Sequence, residues 1–457
     1  MALQEDVKTR LWDQVEALLA KRDYAGLRQL LLPEEAVDIA DLAIDLHGLD
    51  LATFFRLLTK DQAADVFVYL SSDQQEELIK LYSDQELSEI LAGLYNDDLV
   101  EILDELPAQV AKRVLKQTDS SRRDLVNRLL QYPEDSAGSI MTTEYMKLSQ
   151  NMTVAEALYK LRHINQQIEM IYTCFVTNAS RVLEGVVYVA DILRARDDQY
   201  LWEIMNRQPH YVQTTDDQEE VARVIREFDL LALPVVDAEH RLVGIVTVDD
   251  AVEVFVEEVS EDHAYMAAVQ PAETPYPETT VLDNARRRIL WLLLLMLSGT
   301  LNAIILRRYE AVYLALPMLV AMMPLLTAAG GNAGSQTTSV AIVAYATGDI
   351  SGHDFGRVLW KEFRISLICG LALASVNAAL VYARNDHSLT LALTIFISFL
   401  ATIVMAKLMA VTLLYLAKAL RLDPAMVVSP VITTVVDICA LLLYYGIAAR
   451  LFNISLV

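Results

Sequence analysis

The sequence predicts a multidomain membrane protein. It comprises an all-α N-terminal superhelical domain, a duplicated α/β module, a connecting helix and an α-helical transmembrane domain with five spans. Three observations predict it. The first is a division of charge: from Ala285 onward there are 13 Lys and Arg against 7 Asp and Glu, a net of +6. Subtraction from the totals of 37 and 61 leaves 24 and 54 before it, a net of −30. The second is a hydrophobic content of 54% with mean hydropathy +0.31, which the apolar C-terminal third accounts for. The third is internal repetition in the acidic half. A chain of 457 residues exceeds one ordinary domain. A net charge of −30 in the soluble half repels nucleic acid and attracts cations.

Residues 1–130 carry the first repeat. Leu-Thr-Lys-Asp61, Leu-Ser-Ser-Asp73, Leu-Tyr-Ser-Asp84 and Leu-Tyr-Asn-Asp97 recur at spacings of 12, 11 and 13 residues. Ser, Thr or Asn before an acidic first turn marks a helix start. Apolar residues follow at helical spacing, as at Leu78 and Leu81, or Leu87, Ile90 and Leu91. One short helix cannot bury its own apolar face, so the repeats stack into an acidic superhelix. The opening residues have mixed charge and no apolar core, so no signal peptide is read there and this half is expected in the cytoplasm.

Residues 131–262 change period. Segments 186–189, 233–236 and 243–248 are short apolar runs of strand type, with helical patterns at 154–163 and 218–228. The unit occurs twice. Thr153-Val-Ala-Glu-Ala-Leu matches Gln218-Glu-Glu-Val-Ala, and Gly185-Val-Val-Tyr-Val-Ala-Asp191 matches Gly244-Ile-Val-Thr-Val-Asp-Asp250. This resembles a tandem pair of cystathionine-β-synthase (CBS) domains, β-α-β-β-α modules that pair into a regulatory disc. The second copy is the stronger match. Adenine nucleotide is a ligand that the resemblance suggests; no residue here specifies it.

Residues 263–288 form the connector. Pro271, Pro275 and Pro277 break helices early in it. Thr279 or Thr280 is positioned to cap a helix through Val281, Leu282, Ala285 and Ile289, with Arg286, Arg287 and Arg288 just before the apolar run. Residues 289–457 hold the expected spans, at about 289–306, 314–340, 363–383, 389–417 and 427–450. Each reaches the ~18–20 apolar residues that a bilayer core requires. With the N-terminus inside, cytoplasmic flanks hold Arg286, Arg287, Arg288, Arg357, Lys361, Arg364, Lys418 and Arg421. Outer flanks hold Arg307, Arg308, Arg384 and Arg450. Eight against four obeys the positive-inside rule and puts the C-terminus outside.

Polar residues interrupt the second and fifth spans. Asp437 lies in mid-span, where a carboxylate costs on the order of 3 kcal/mol unless it faces the interior or a wet path. Two copies of the chain meeting there would converge two carboxylates, which a cation would hold together. Oxygen-only ligands suit hard divalent ions. The alternative is a structural carboxylate bonded to hydroxyls on a neighbouring helix. Thr433 and Thr434 stand one turn before it. Pro424 and Pro430 each remove an amide donor and free a carbonyl, a potential cation ligand or simply a helix start and a kink. On the second span, Gly330, Gly331, Asn332, Gly334, Ser335, Gln336, Thr337 and Thr338 would be costly against lipid. Small residues permit close helix approach, and Asn332 is the residue read as pore lining. Lys407 is a lone intramembrane cation that snorkels, pairs with a carboxylate or faces an interface.

The soluble half groups its carboxylates. Asp97, Asp98 and Glu101 share a helical turn; Asp216, Asp217, Glu219 and Glu220 open a helix, with Asp229 after it. Asp249, Asp250, Glu253, Glu257, Glu258, Glu261 and Asp262 follow at helical spacings. Like charges so placed destabilise a helix by roughly 0.2–0.5 kcal/mol per pair, and divalent ions between two such faces would remove that cost. A solvated acidic surface is the plainer alternative for any one cluster. Cys174, Cys369 and Cys439 have no ligand or disulfide spacing.

Pro324-Leu-Leu-Thr-Ala-Ala-Gly-Gly-Asn-Ala-Gly-Ser-Gln336 and Asp423-Pro-Ala-Met-Val-Val-Ser-Pro-Val-Ile-Thr-Thr-Val-Val-Asp437 are long and unusual motifs. With the domain order, they make the chain resemble the MgtE family of magnesium transporters over nearly its whole length. The resemblance implies a homodimer in the lipid of the cytoplasmic membrane, with its pore at the dimer interface and Asp437 as ion-selecting residue. It implies Mg²⁺ as both cargo and regulatory ligand, bound between the N and CBS domains and holding the connecting helix against the pore. Asp97, Asp217, Asp229, Asp250, Glu253, Glu258, Glu261 and Asp262 are the positions it assigns to the sensor. Val343, the Cys439-Ala440 pair and Val256 depart from the pattern. Rivals are a Co²⁺ or Mn²⁺ transporter of the same architecture, since oxygen sites discriminate mainly by size and hydration, and a membrane-anchored CBS sensor without flux. No P-loop, nucleophile elbow or metalloprotease signature points to an enzyme.

Overall fold

Helix-start residues set the N-terminal architecture. The computed structural model describes residues 2–164, 168–272, 276, 279–384 and 388–454; Pro275 and Pro277 lie outside the described residues. The chain divides into two units, 1–255 and 256–457, taken in turn.

The first unit opens with helices α1 (Ala2–Lys21), α2 (Tyr24–Leu31), α3 (Ala36–Ala43), α4 (Gly48–Phe55), α5 (Lys60–Val68), α6 (Ser72–Leu81), α7 (Asp84–Leu91), α8 (Asn96–Glu105), α9 (Ala108–Gln117) and α10 (Ser120–Leu129). The four repeated motifs are the starts of α5 to α8. Thr59, Ser71 and Ser83 hydroxyls accept from the amides of Gln62, Gln74 and Glu86 at 3.2, 3.4 and 3.3 Å, caps worth ~1 kcal/mol each. At the fourth start Tyr95 replaces the hydroxyl residue, and the Asp98 carboxylate accepts from the Tyr95 amide at 3.3 Å. Helices pack on their next-but-one neighbours: α3 on α5, α4 on α6, α5 on α7 and α7 on α9. Side chains from later helices satisfy carbonyls that helix ends leave free. Gln74 Nε2 donates to the Ala43 and Leu46 carbonyls at 2.7 and 3.1 Å, and Arg122 donates to those of Leu91 and Leu94. The expected superhelix is therefore present.

The duplicated module follows as β1 (Tyr145–Ser149), α11 (Val154–Arg162), β2 (Met170–Thr177), β3 (Leu183–Tyr188) and α12 (Val189–Arg194), then α13 (Leu201–Ile204). The second copy is β4 (Val212–Gln213), α14 (Gln218–Glu227), β5 (Ala232–Val236), β6 (Leu242–Thr247) and α15 (Val248–Met266). In each sheet the first strand is parallel to the second and the second antiparallel to the third. The sequence pattern marks only the segments corresponding to β3, β5 and β6. One buried core runs from Val15 through the helices into Val212, Val235 and Val254 of the second copy. Phe175, Val186, Val236 and Ile245 join the two sheets.

The second unit contains α16 (Val281–Arg308), α17 (Glu310–Ala315), α18 (Pro317–Ala346), a 3₁₀ turn (Gly352–Asp354), α19 (Phe355–Arg384), α20 (Leu389–Ala419) and α21 (Pro424–Leu451). Helices α16, α19, α20 and α21 are long and apolar enough to cross a membrane. A fifth long helix, α18, has 30 residues and carries the glycine and amide run, and over a bilayer length it is less apolar than these four. The Thr280 hydroxyl accepts from the Asp283 amide at 3.2 Å, as a helix cap. From there α16 is continuous, so the hydropathy boundary at 288/289 falls inside one helix. The expected second span starts later, because Leu316 leaves the helical region before Pro317. The third begins earlier, at Phe355.

Candidate functional site

Two centres stand out, one in each unit. In the first, β6 passes directly into α15, which puts Asp250 in the opening helical turn. The Thr247 hydroxyl donates to its Oδ2 at 2.6 Å. Asp97 occupies the first turn of α8. Glu169 immediately precedes β2, and its amide donates to the Glu144 carbonyl at 3.0 Å. Carboxylate oxygens of Asp97, Glu169 and Asp250 lie within 4.8 Å of one another. Asn96 fixes the approach of α8: its amide donates to Thr143 Oγ1 at 2.9 Å and to Glu144, and it accepts from Arg122 Nε at 2.7 Å.

This cluster disfavours its own charge. Burial, then Glu169, Asp98 and Asp250, hold the Asp97 carboxyl well above the usual range. Burial pushes Glu169 up to about 7, against a hydrogen bond from Thr142, with Asp250 and Asp249 adding repulsion. Asp250 is raised to about 6, chiefly by burial, despite Thr247. Asp98 is raised by burial, with Glu144 and Glu253 contributing against the Tyr95 amide and Arg122. Among the described residues, no hydrogen-bond donor meets the buried Asp97 Oδ1 and Glu169 Oε2. Crowded, under-donated carboxylate oxygens fit a hard divalent cation.

The structure thus brings together the expected Asp97 and Asp250, with Asp98 and Glu253 close enough to repel. It adds Glu169 and, beside it, Glu144, neither of which stands in an acidic cluster of the sequence. Recognising β1 and β2 as parallel neighbours would have placed both glutamates at the same sheet end. Glu101 is exposed on the next turn of α8. Asp217 is an exposed cap of α14, accepting from the Glu219 amide at 2.9 Å. Asp229 is exposed in a left-handed turn after that helix. Both lie outside the three-carboxylate cluster. Glu258, Glu261 and Asp262 belong to the second unit.

In the second unit, Asp437 is half-buried near the middle of α21. Among the described residues it forms no hydrogen bond or ion pair, and the half-buried Thr433 hydroxyl donates instead to the Pro430 carbonyl at 3.5 Å. Pro430 is buried inside α21. Opposite it, a Cβ on Gly330 would lie 2.7 Å from Thr402 Cγ2 and 3.0 Å from Val436 Cγ1; one on Gly334 would lie 3.1 Å from Ile432 Cγ1. These glycines let α18 approach α21 beside Asp437. Asn332 and Gln336 then project from the other side of α18 and are exposed in the single chain. Lys407 is buried and paired, 2.9 Å from Thr337 Oγ1 and 3.4 Å from Glu362.

A carboxylate cluster with the chemistry of a divalent-cation site, and a carboxylate among apolar helices with no partner among the described residues, are features that a membrane protein handling divalent cations would need. Residues 323–447 match the family described as MgtE, divalent cation transporter. Residues 34–135 match the MgtE intracellular N domain, and 137–198 and 201–257 match CBS domains. The chain is 36% identical over 451 residues to the magnesium transporter MgtE of Thermus thermophilus, covering 98% of this chain and 100% of that one. It is 31% identical over 355 residues to that of Bacillus subtilis, covering 78% of each. The first unit resembles the crystallised cytosolic domain of the Mg²⁺ channel MgtE in complex with ATP. The TM-score is 0.51 and identity 38%, covering 53% of this chain and 99% of that one. The soluble part of a magnesium transporter gives 0.51 and 29%, covering 55% and 99%. The chain belongs to the MgtE family.

Proposed function

We propose that this chain is a magnesium-gated Mg²⁺ channel or transporter that mediates Mg²⁺ uptake across the cytoplasmic membrane. Asp437 selects the ion and the cytosolic carboxylates sense it. The observation that carries the reading is Asp437, a carboxylate among apolar helices with no partner among the described residues. Such a group is tolerated where it meets a wet path or a cation. End-to-end similarity to magnesium transporters supports Mg²⁺ as the cargo. Exposed Asn332 and Gln336 support a second copy covering that face, so that two Asp437 side chains converge on one conduit. Thr433 and the carbonyls freed near Pro430 contribute oxygens to it. The N-terminus lies in the cytoplasm and the C-terminus outside.

At low internal Mg²⁺ the carboxylates around Asp97, Glu169 and Asp250 repel, α8 and α15 separate and the conduit opens. Bound Mg²⁺ draws them together. The ATP complex of a relative's cytosolic domain supports adenine nucleotide as a second ligand of the CBS pair. The test is Mg²⁺ flux into liposomes containing the purified protein, at near-zero and millimolar Mg²⁺ on the face carrying the soluble domain. Flux that shuts down at high Mg²⁺ is expected. Flux indifferent to Mg²⁺ refutes the sensor, and no flux with any divalent ion refutes the conduit.

A further inference from the structure

Lys407 has no part in either centre, yet it is among the most buried charges in the protein, 7% exposed in the middle of α20. Its ammonium donates to Thr337 Oγ1 of α18 at 2.9 Å and to Glu362 Oε2 of α19 at 3.4 Å. The Thr337 hydroxyl donates in turn to Glu362 Oε2 at 3.2 Å. The three groups close a triangle in which the threonine both accepts and donates, and each corner sits on a different helix. A lone ammonium among apolar helices is strongly disfavoured, so the pairing is obligatory once Lys407 is there. A buried pair is seldom more stabilising than apolar side chains of similar volume. Its better-attested use is to fix one arrangement against alternatives.

The arrangement it fixes is the rotation of α18. Gly330, Gly334, Thr337 and Ala341 lie on the buried side of that helix with Ala333 and Thr338, between Leu326 and Ile342, and Asn332 and Gln336 stand off it. Between Leu326 and Ile342 the buried residues are all small, and small residues pack closely but give a helix few stops against rotation. Of the first four, Thr337 is the one with a directional bond to its neighbours. A helix turns by ~100° per residue, so a shift of one position would carry Asn332 and Gln336 off their present heading. We propose that Lys407, Thr337 and Glu362 form a buried clamp that holds α18 in the one rotation aiming Asn332 and Gln336 into the ion path. They are positioning residues, acting through α18 without touching the ion. The proposal rests on the reading of Asn332 as conduit lining.

The test uses the full-length chain in liposomes, with Cys174, Cys369 and Cys439 replaced by alanine and Asn332→Cys as the reporter. A charged, water-soluble thiol reagent measures how far position 332 faces water. Two clamp variants are compared: Thr337→Val, which keeps the Lys407–Glu362 pair and the side-chain shape, and Lys407→Met with Glu362→Met, which removes both charges together. Expected is ready labelling with the clamp intact, slowed about tenfold in either variant, the scale of one interhelical hydrogen bond. In the chain retaining Asn332, maximal Mg²⁺ flux falls by a similar factor, and the internal Mg²⁺ concentration that halves flux stays put. Unchanged labelling and flux in both variants overturn the clamp and leave the conduit reading intact. No labelling at position 332 with the clamp intact overturns the conduit assignment of Asn332, and the clamp with it.

Discussion

Asp97 Oδ1 and Glu169 Oε2 are buried acceptors that no donor among the described residues meets, in a cluster whose burial outweighs its hydrogen bonds. The consequence for pH has a definite sign. In the unfolded chain these carboxyls titrate near their ordinary values, about 4. In the folded chain Asp250 is raised to about 6 and Glu169 to about 7, with Asp97 also well above its ordinary value. A raised folded value contributes stability fully below pH ~4 and loses it as pH climbs towards 7. Without divalent ions the cytosolic unit should therefore become less stable across that window, and Mg²⁺ should restore what is lost. Thermal unfolding of the full-length protein in detergent checks this. The Mg²⁺-induced rise in melting temperature is expected to be larger at pH 7.5 than at pH 5.5. Glu169→Gln should raise ion-free stability at neutral pH and shrink the Mg²⁺ response. A Mg²⁺ response of equal size at both pH values would count against the cluster as a cation site. Glu169 also marks the limit of sequence reading at this scale. Asp97 and Asp250 are legible because each stands in the first turn of a helix, Asp97 after a repeated helix-start motif and Asp250 straight after an apolar strand run. Glu169 faces them only through parallel pairing of β1 with β2, a long-range fact that no local pattern carries. Lys407 is similar: an intramembrane charge is obvious in the sequence, but its partner Glu362, 45 residues earlier, is supplied by the packing of α19 on α20.

Helices were read better than strands because their start signals are local chemistry. Thr59, Ser71, Ser83, Thr153 and Thr280 each cap the helix that the pattern placed after them. By contrast β2 is buried along most of its length and β4 is two residues long, so neither shows the alternation that betrays a strand. Span boundaries moved for an equally local reason. A hydropathy window stops at charge, while α16 and α19 continue as helices through Arg286–Arg288 and Arg357–Arg364. At this scale the glycine motif has a testable role. The Cβ of Gly330→Ala would meet Thr402 and Val436 at distances that force a shift, an overpacking cost of ~1–3 kcal/mol. Gly331 has nothing within 4 Å. Gly330→Ala is expected to lower the melting temperature of the detergent-purified protein and Gly331→Ala to leave it nearly unchanged. An equal loss at both positions would refute the packing role of Gly330.

The whole chain divides its charge, with most of its carboxylates in the soluble half and one, Asp437, placed in mid-span with no partner among the described residues. If Asp437 selects and the Asp97–Glu169–Asp250 cluster senses, the two functions must separate by mutation. Asp437→Ala removes the cation's anionic partner in the conduit but touches nothing in the first unit. It should abolish Mg²⁺ uptake or its selectivity while Mg²⁺ still raises the melting temperature through the soluble carboxylates. Asp250→Ala with Glu253→Ala does the reverse, because it removes carboxylates through which bound Mg²⁺ would draw α8 and α15 together. The conduit should carry Mg²⁺ at near-wild-type maximal rate, and several-fold more internal Mg²⁺ should be needed to halve it, as expected when a site loses a charged ligand. Liposome flux and thermal unfolding on the same preparations read both properties. A single variant that abolishes flux and the Mg²⁺-induced stabilisation together, with the protein still folded, would mean that one set of carboxylates serves both purposes. The division of labour argued from Asp437 and Asp97 would then fall.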